Sequence, residues 1–129
     1  MNRQDILNVL NKYPFPKDEF IVLSGAALVL FGIKSETHDI DIAVTERLYK
    51  QMLADYSCDF DKINPFGNKV YFLDKVINFG IDYIDVDFLL ANGYRVQTPD
   101  SVKRLKLALN YPKDQKDAKA IEEWEKKHG

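Results

Sequence analysis

Residues 36–44 read ETHDIDIAV, and two aspartates, Asp39 and Asp41, alternate there with Ile40 and Ile42. A β-strand sends successive side chains to opposite faces, so this spacing predicts both carboxylates on one face and both isoleucines on the other. The stretch IDYIDVDFLL (Ile81–Leu90) repeats the pattern, with Asp85 and Asp87 alternating with Val86 and Phe88. Two such strands side by side would gather three or four carboxylates. Without compensation their charges repel, and partial desolvation raises their pKa values. A divalent cation removes that cost. Mg²⁺, or Mn²⁺ in its place, takes oxygen ligands and commonly uses one or two carboxylates plus substrate phosphates. Paired ions of this kind clamp the attacking and leaving oxygens of an in-line phosphoryl displacement. The competing reading is a solvated strand face that the aspartates merely mark. A lone D-x-D favours that reading; its repetition, in strands where Asp is depleted, weighs against it.

A second chemical feature precedes the first pair. The apolar run FIVL (Phe20–Leu23) predicts a buried strand, and Ser24-Gly25 follows at once. The segment AALVLFG then predicts a helix with Ser24 near its start and Gly32 as its stop. A Gly at such a turn lets the backbone approach a phosphate closely, beside the free N–H groups of the helix start. Taken alone, it is an ordinary strand-to-helix turn. Gly25 lies fourteen residues before Asp39, so strand, Ser-Gly, short helix and D-x-D follow in one compact sequence.

The stretch LSGAALVLFGIKSETHDIDIAV resembles the signature of the nucleotidyltransferase superfamily that includes DNA polymerase β and the small minimal nucleotidyltransferases. That resemblance implies that Ser24 and Gly25 contact nucleotide phosphates and that Asp39 and Asp41 hold metal. It makes Asp87 the third carboxylate, with Asp85 as its rival. Thr37 fits the usual pattern, and Lys34 stands near where many relatives carry an Arg. The turn is Ser-Gly where relatives commonly have Gly-Gly or Gly-Ser. The tail, TPDSVKRLKLALNYPKDQKDAKAIEEW, resembles that of a subgroup akin to the AbiEii toxin group, through Lys106 and the stretch Pro112, Lys113, Asp114 and Asp117. The implied activity is transfer of NMP from an NTP, with ATP the leading candidate, to a hydroxyl acceptor, releasing pyrophosphate and using Mg²⁺ or Mn²⁺. Lys106 and Lys113 would offset phosphate charge. A second expectation is a non-catalytic member of the fold that binds nucleotide or a partner protein, as a toxin–antitoxin or regulatory component. A third, weaker one is a metal-dependent nuclease. So short a chain could complete its acceptor pocket with a second subunit of its own kind.

The elements that must position these residues are readable in part. Ile6, Leu7 and Leu10 predict a helix over residues 3–12, ended by Pro14 and Pro16. His38–Val44 reads as the second strand. Thr45 is a good N-cap for a helix through TERLYKQMLAD. CDF, KVYFL and VINF read as short strands, with INPFGN and FGID as turns, and YRVQ as a short final strand. After Pro99 the pattern is helical to the end, broken at Tyr111 and Pro112. Val102, Leu105 and Leu109 form an apolar stripe that includes Lys106; Asp114, Asp117, Ile121 and Trp124 share a face. Capping accounts for Asp114, and snorkelling for Lys106, as well as a binding role does. His38 reads as a loop residue rather than a base. Tyr71, Phe72, Phe79, Tyr83 and Phe88 read as core or sheet-face residues rather than a base-stacking platform.

The fold expected is α/β (α+β): one domain over residues 1–129, a small mixed sheet flanked by helices, with the carboxylates at one edge. The 129 residues, 46% hydrophobic and 29% charged, suit a single globular core. A net charge of -2 argues against coating nucleic acid by bulk charge. Cys58 is the only cysteine, which excludes an internal disulfide and points to a reducing, cytoplasmic setting. The N-terminal stretch lacks the pattern of a signal peptide, and no segment approaches the ~20 apolar residues that span a bilayer, so no membrane partner is expected.

Overall fold

Local capping explains where the first helix begins. The Asn2 side chain accepts from the Asp5 N–H at 2.9 Å, and the Asp5 carboxylate accepts from the Asn2 N–H at 3.0 Å. This reciprocal pair opens α1 (Arg3–Lys12). The computed structural model describes residues 1–109 and 112–128, apart from the side chains of 109 and 112–114. β1 (Phe20–Leu23) is buried throughout and runs directly into α2 (Ser24–Leu30). Past the end of α2, Gly32 adopts a left-handed φ of +77°, which spares a side chain strain there. β2 (Ile40–Val44) follows; Thr45 then caps α3 (Glu46–Asp55), its hydroxyl accepting from Leu48 N–H at 3.2 Å. Three more strands, β3 (Cys58–Ile63), β4 (Lys69–Leu73) and β5 (Ile77–Gly80), form a meander. β6 (Phe88–Ala91) and β7 (Tyr94–Gln97) form a hairpin. α4 (Pro99–Leu109) and α5 (Pro112–His128) pack on each other.

All seven strands join one mixed sheet in the order β3-β4-β5-β2-β1-β7-β6. β2 lies antiparallel to β1 and parallel to β5, and β1 lies parallel to β7. The alternation of side chains sorts the two faces. Phe20, Val22, Ile40, Ile42, Phe79 and Val96 point into the main core with Ile6, Leu28, Leu48 and Ile121 from the helices. The opposite face carries a smaller apolar patch of Ile21, Leu23 and Ala43. Asp41 shares the parity of Ala43 and therefore stands on this second face. Among the described residues, no helix is long and apolar enough to cross a membrane.

Two expectations are corrected. The long strand expected over Ile81–Leu90 is a turn through its first half, and only Phe88–Ala91 is extended. Tyr83 takes a φ of +67°, and the Val86 N–H donates to the Tyr83 carbonyl at 3.2 Å. The alternating apolar residues of that stretch serve another purpose: Tyr83, Ile84 and Val86 cover the patch of Ile21, Leu23 and Ala43. Of the carboxylates expected at a sheet edge, Asp41 lies in β2, the middle strand of the seven, and Asp39 in the bend before it.

Candidate functional site

β2 delivers Asp41 between β1 and β5, opposite Leu23 on one side and Asn78 on the other. Asp39 stands in the bend just before the strand. Asp41 is half-buried, and its pKa rises from 3.8 to about 6. Loss of water is the main cause, followed by repulsion from Asp39; Lys62 and Lys106 oppose the shift, and Asp61 adds to it. Two further carboxylates and two ammonium groups therefore act on Asp41. Asp61, on β3, accepts from the Asn78 amide at 3.1 Å, which links β3 to the residue directly opposite Asp41.

This group opens on a cleft of about 260 Å³, lined by Ser24, Asp41, Lys62, Asn78, Asp82 and Leu105 among others. Its far wall is held by polar contacts. The Asn68 amide donates to both Asp82 oxygens at 3.1 and 3.0 Å, and the Asn64 amide also bonds Asp82. Asn64 in turn accepts from Phe66 N–H and Asn68 N–H, each at 3.0 Å, which fixes the β3–β4 turn.

The Ser-Gly turn sits on the other side of Asp41. Ser24 has a φ of +52°, a left-handed conformation unusual for a residue with a side chain. Its N–H donates to Gln97 Oε1 at 3.0 Å, and Gln97 Nε2 donates to Ser101 Oγ at 3.0 Å. Buried Gln97 thus holds the turn from β7 and the start of α4. At Gly25 an added Cβ would lie 2.8 Å from Thr37 Oγ1, so only glycine fits beside Thr37 as it stands. Thr37 Oγ1 donates to the Asp39 carbonyl at 3.3 Å. Lys34 and Lys106 converge on Asp117 Oδ2, at 3.4 and 3.2 Å.

Of the residues singled out in the sequence, Ser24, Gly25, Lys34, Thr37, Asp39, Asp41 and Lys106 come together here, with Asp117 as the link between the two lysines. Asp85 and Asp87 do not join them. Asp85 is exposed in the turn before β6. Asp87 is exposed and pairs with Arg104 at 2.8 Å, with β1 and β7 standing between β6 and β2. Lys113 and Asp114 have side chains outside the described residues. The sequence reading missed Asp61, Lys62, Asn78, Asp82 and Gln97. A signal for two of them existed: CDFDKI places Asp59 and Asp61 in a further D-x-D within a strand. Asn78 is likewise the one polar residue of the run VINF.

Among the described residues, no group of three His, Cys, Asp or Glu side chains is arranged to enclose a metal ion. Asp39 and Asp41 still present two carboxylates whose repulsion a cation would relieve. That donor set suits Mg²⁺, which keeps water or substrate oxygens in its remaining positions. No family model, no curated protein and no solved structure matches this chain.

Proposed function

We propose that the protein is a metal-dependent nucleotidyltransferase, moving NMP from an NTP to a hydroxyl acceptor and releasing pyrophosphate. The observation that carries this reading is Asp41: half-buried, beside Asp39, raised to about 6, with Lys62 and Lys106 nearby, and opening on a cleft that Ser24, Lys62, Asn78 and Asp82 also line. A site that concentrates negative charge at its base and positive charge around it suits a cation and a polyphosphate together. Asp39 and Asp41 are the residues to hold Mg²⁺ or Mn²⁺, and the bound ion supplies neutralisation of the phosphate oxygens. Lys106 and Lys34, which converge on Asp117, offset charge on the leaving pyrophosphate. The Ser24-Gly25 backbone, fixed by Gln97 and crowded by Thr37, borders the phosphates. Asp61 takes the role that the resemblance assigned to Asp87: it is the third carboxylate whose charge reaches Asp41, and it accepts the proton from the attacking hydroxyl. The hydroxyl oxygen bonds to the α-phosphorus as the bond from that phosphorus to the bridging oxygen breaks. Catalysis of this kind rests on positioning and charge neutralisation, which a small scaffold can supply.

One observation favours a second reading, a non-catalytic nucleotide binder of the same fold. The residue directly opposite Asp41 is the neutral Asn78 rather than an acid. Pyrophosphate release from an NTP panel with Mg²⁺ or Mn²⁺, over a range of hydroxyl acceptors, separates the two. Turnover that disappears in Asp41→Asn supports the transferase. Saturable NTP binding without turnover on any acceptor supports the binder. No binding of any nucleotide overturns both.

A further inference from the structure

The two ends of the sheet are built differently. β3 ends it on one side with Asp59, Asp61 and Lys62 in its sequence and a register irregularity between Phe60 and Lys62. Charges and bulges of this kind discourage edge-to-edge pairing. β6 ends the sheet on the other side and reads Phe-Leu-Leu-Ala, with no charge, proline or bulge. Phe88, Leu89 and Leu90 are 40%, 56% and 71% exposed, although they follow one another on both faces of the strand. An uncharged, apolar end strand is a ready template for another strand.

The surroundings of β6 indicate which strand. Its N-terminal end is acidic, with exposed Asp85 and with Asp87, which pairs with Arg104. Its C-terminal end is basic: Arg3 donates to Asn92 Oδ1 at 2.6 Å, and Lys17 Nζ lies 3.4 Å from where a Cβ would stand on Gly93. Antiparallel pairing of β6 with itself brings the acidic end of each copy against the basic end of the other. We propose that a second copy of this chain docks along β6, joining two sheets across a two-fold axis. Opposed residues in an antiparallel pair share a face, so a two-fold axis normal to the sheet must pass through a residue that meets its own copy. With the axis at Leu89, Phe88 meets the second copy's Leu90, and the acidic turn that precedes β6 in each copy faces the end of the other copy's β6 where Lys17 stands. This inference is independent of the nucleotidyltransferase reading.

Sedimentation equilibrium of the full chain over a concentration series tests it. Wild type is expected to shift reversibly from monomer to twice the monomer mass, more readily at low salt. Leu90→Lys, at the most exposed of the three positions, is expected to stay monomeric while keeping the wild-type circular dichroism spectrum. Asp85→Lys and Lys17→Glu lie outside the strand; each is expected to weaken association by about tenfold, and combining them to restore most of it. A wild-type monomer across the whole series would overturn the proposal. So would a dimer that survives Leu90→Lys in folded protein, or charge variants whose combination restores nothing.

Discussion

Asp41 concentrates both the cost and the use of this site. Its carboxyl holds a proton more tightly in the folded chain than in the unfolded one, with a pKa of about 6 against 3.8. Between about pH 4 and pH 6 the folded state therefore binds more protons, so stability falls as pH rises through that window and stays lower above it. A shift of this size corresponds to about 2–3 kcal/mol. Asp41→Asn should accordingly raise the stability of the ligand-free protein at pH 7.5 by about 2 kcal/mol and flatten the slope below pH 6, as read by urea denaturation at several pH values. Gain of stability with loss of activity is the signature of a strained functional group. Gly25 gives a second residue-level expectation. Gly25→Ala sets a Cβ 2.8 Å from Thr37 Oγ1 and should destabilise the chain by about 1–2 kcal/mol. Because the clash is with one hydroxyl, Thr37→Ala in the same chain should recover most of that loss, whereas independent sites would add. Thermal melts of the single and double variants measure the coupling.

At the level of elements, the helices and most strands were legible because their signals are local. The spacing of Ile6, Leu7 and Leu10, the Thr45 cap, the two prolines after α1 and the FIVL run each act within a few residues, and the structure places α1, β1 and α3 as those signals predict. The stretch over Ile81–Leu90 misled because two-residue alternation serves equally for a strand and for a loop that caps an apolar patch. Tyr83, Ile84 and Val86 do the latter. Function follows the distinction. Asp87 pairs with Arg104 of α4 at 2.8 Å and precedes β6, which β1 and β7 separate from β2, so Asp87→Asn should leave turnover within about twofold of wild type. Asp61→Asn, in contrast, should lower it by about 10²-fold or more if Asp61 takes the hydroxyl's proton. The β7–α4 junction offers a structural check. Gln97→Met leaves the Ser24 N–H without its acceptor and Ser101 without its amide donor. The loss should be about 1–3 kcal/mol in denaturant unfolding, with NTP affinity falling alongside because the Ser-Gly turn loses its support.

For the molecule as a whole, what the sequence concealed was which strand lies beside which. Pairing depends on contacts distant in sequence, and one chain offers no local mark for them. In the order β3-β4-β5-β2-β1-β7-β6 two strands separate β2 from β3 and two separate it from β6; Asp61 bonds Asn78 and its charge reaches Asp41, whereas Asp87 pairs with Arg104. The front half of the site was legible because Ser24, Gly25, Lys34, Thr37, Asp39 and Asp41 lie in one short stretch bent around α2. Lys106 was legible as a cation on an apolar stripe, and only the fold supplies its partner Asp117. The proposed activity requires that Asp39 and Asp41 share a divalent cation with a nucleoside triphosphate. Mn²⁺ binding followed by electron paramagnetic resonance, with and without ATP, in wild type, Asp39→Asn, Asp41→Asn and Asp87→Asn measures this directly. ATP-dependent Mn²⁺ binding is expected in wild type and Asp87→Asn and is expected to vanish in Asp39→Asn and Asp41→Asn; equal binding in all four proteins would contradict the account.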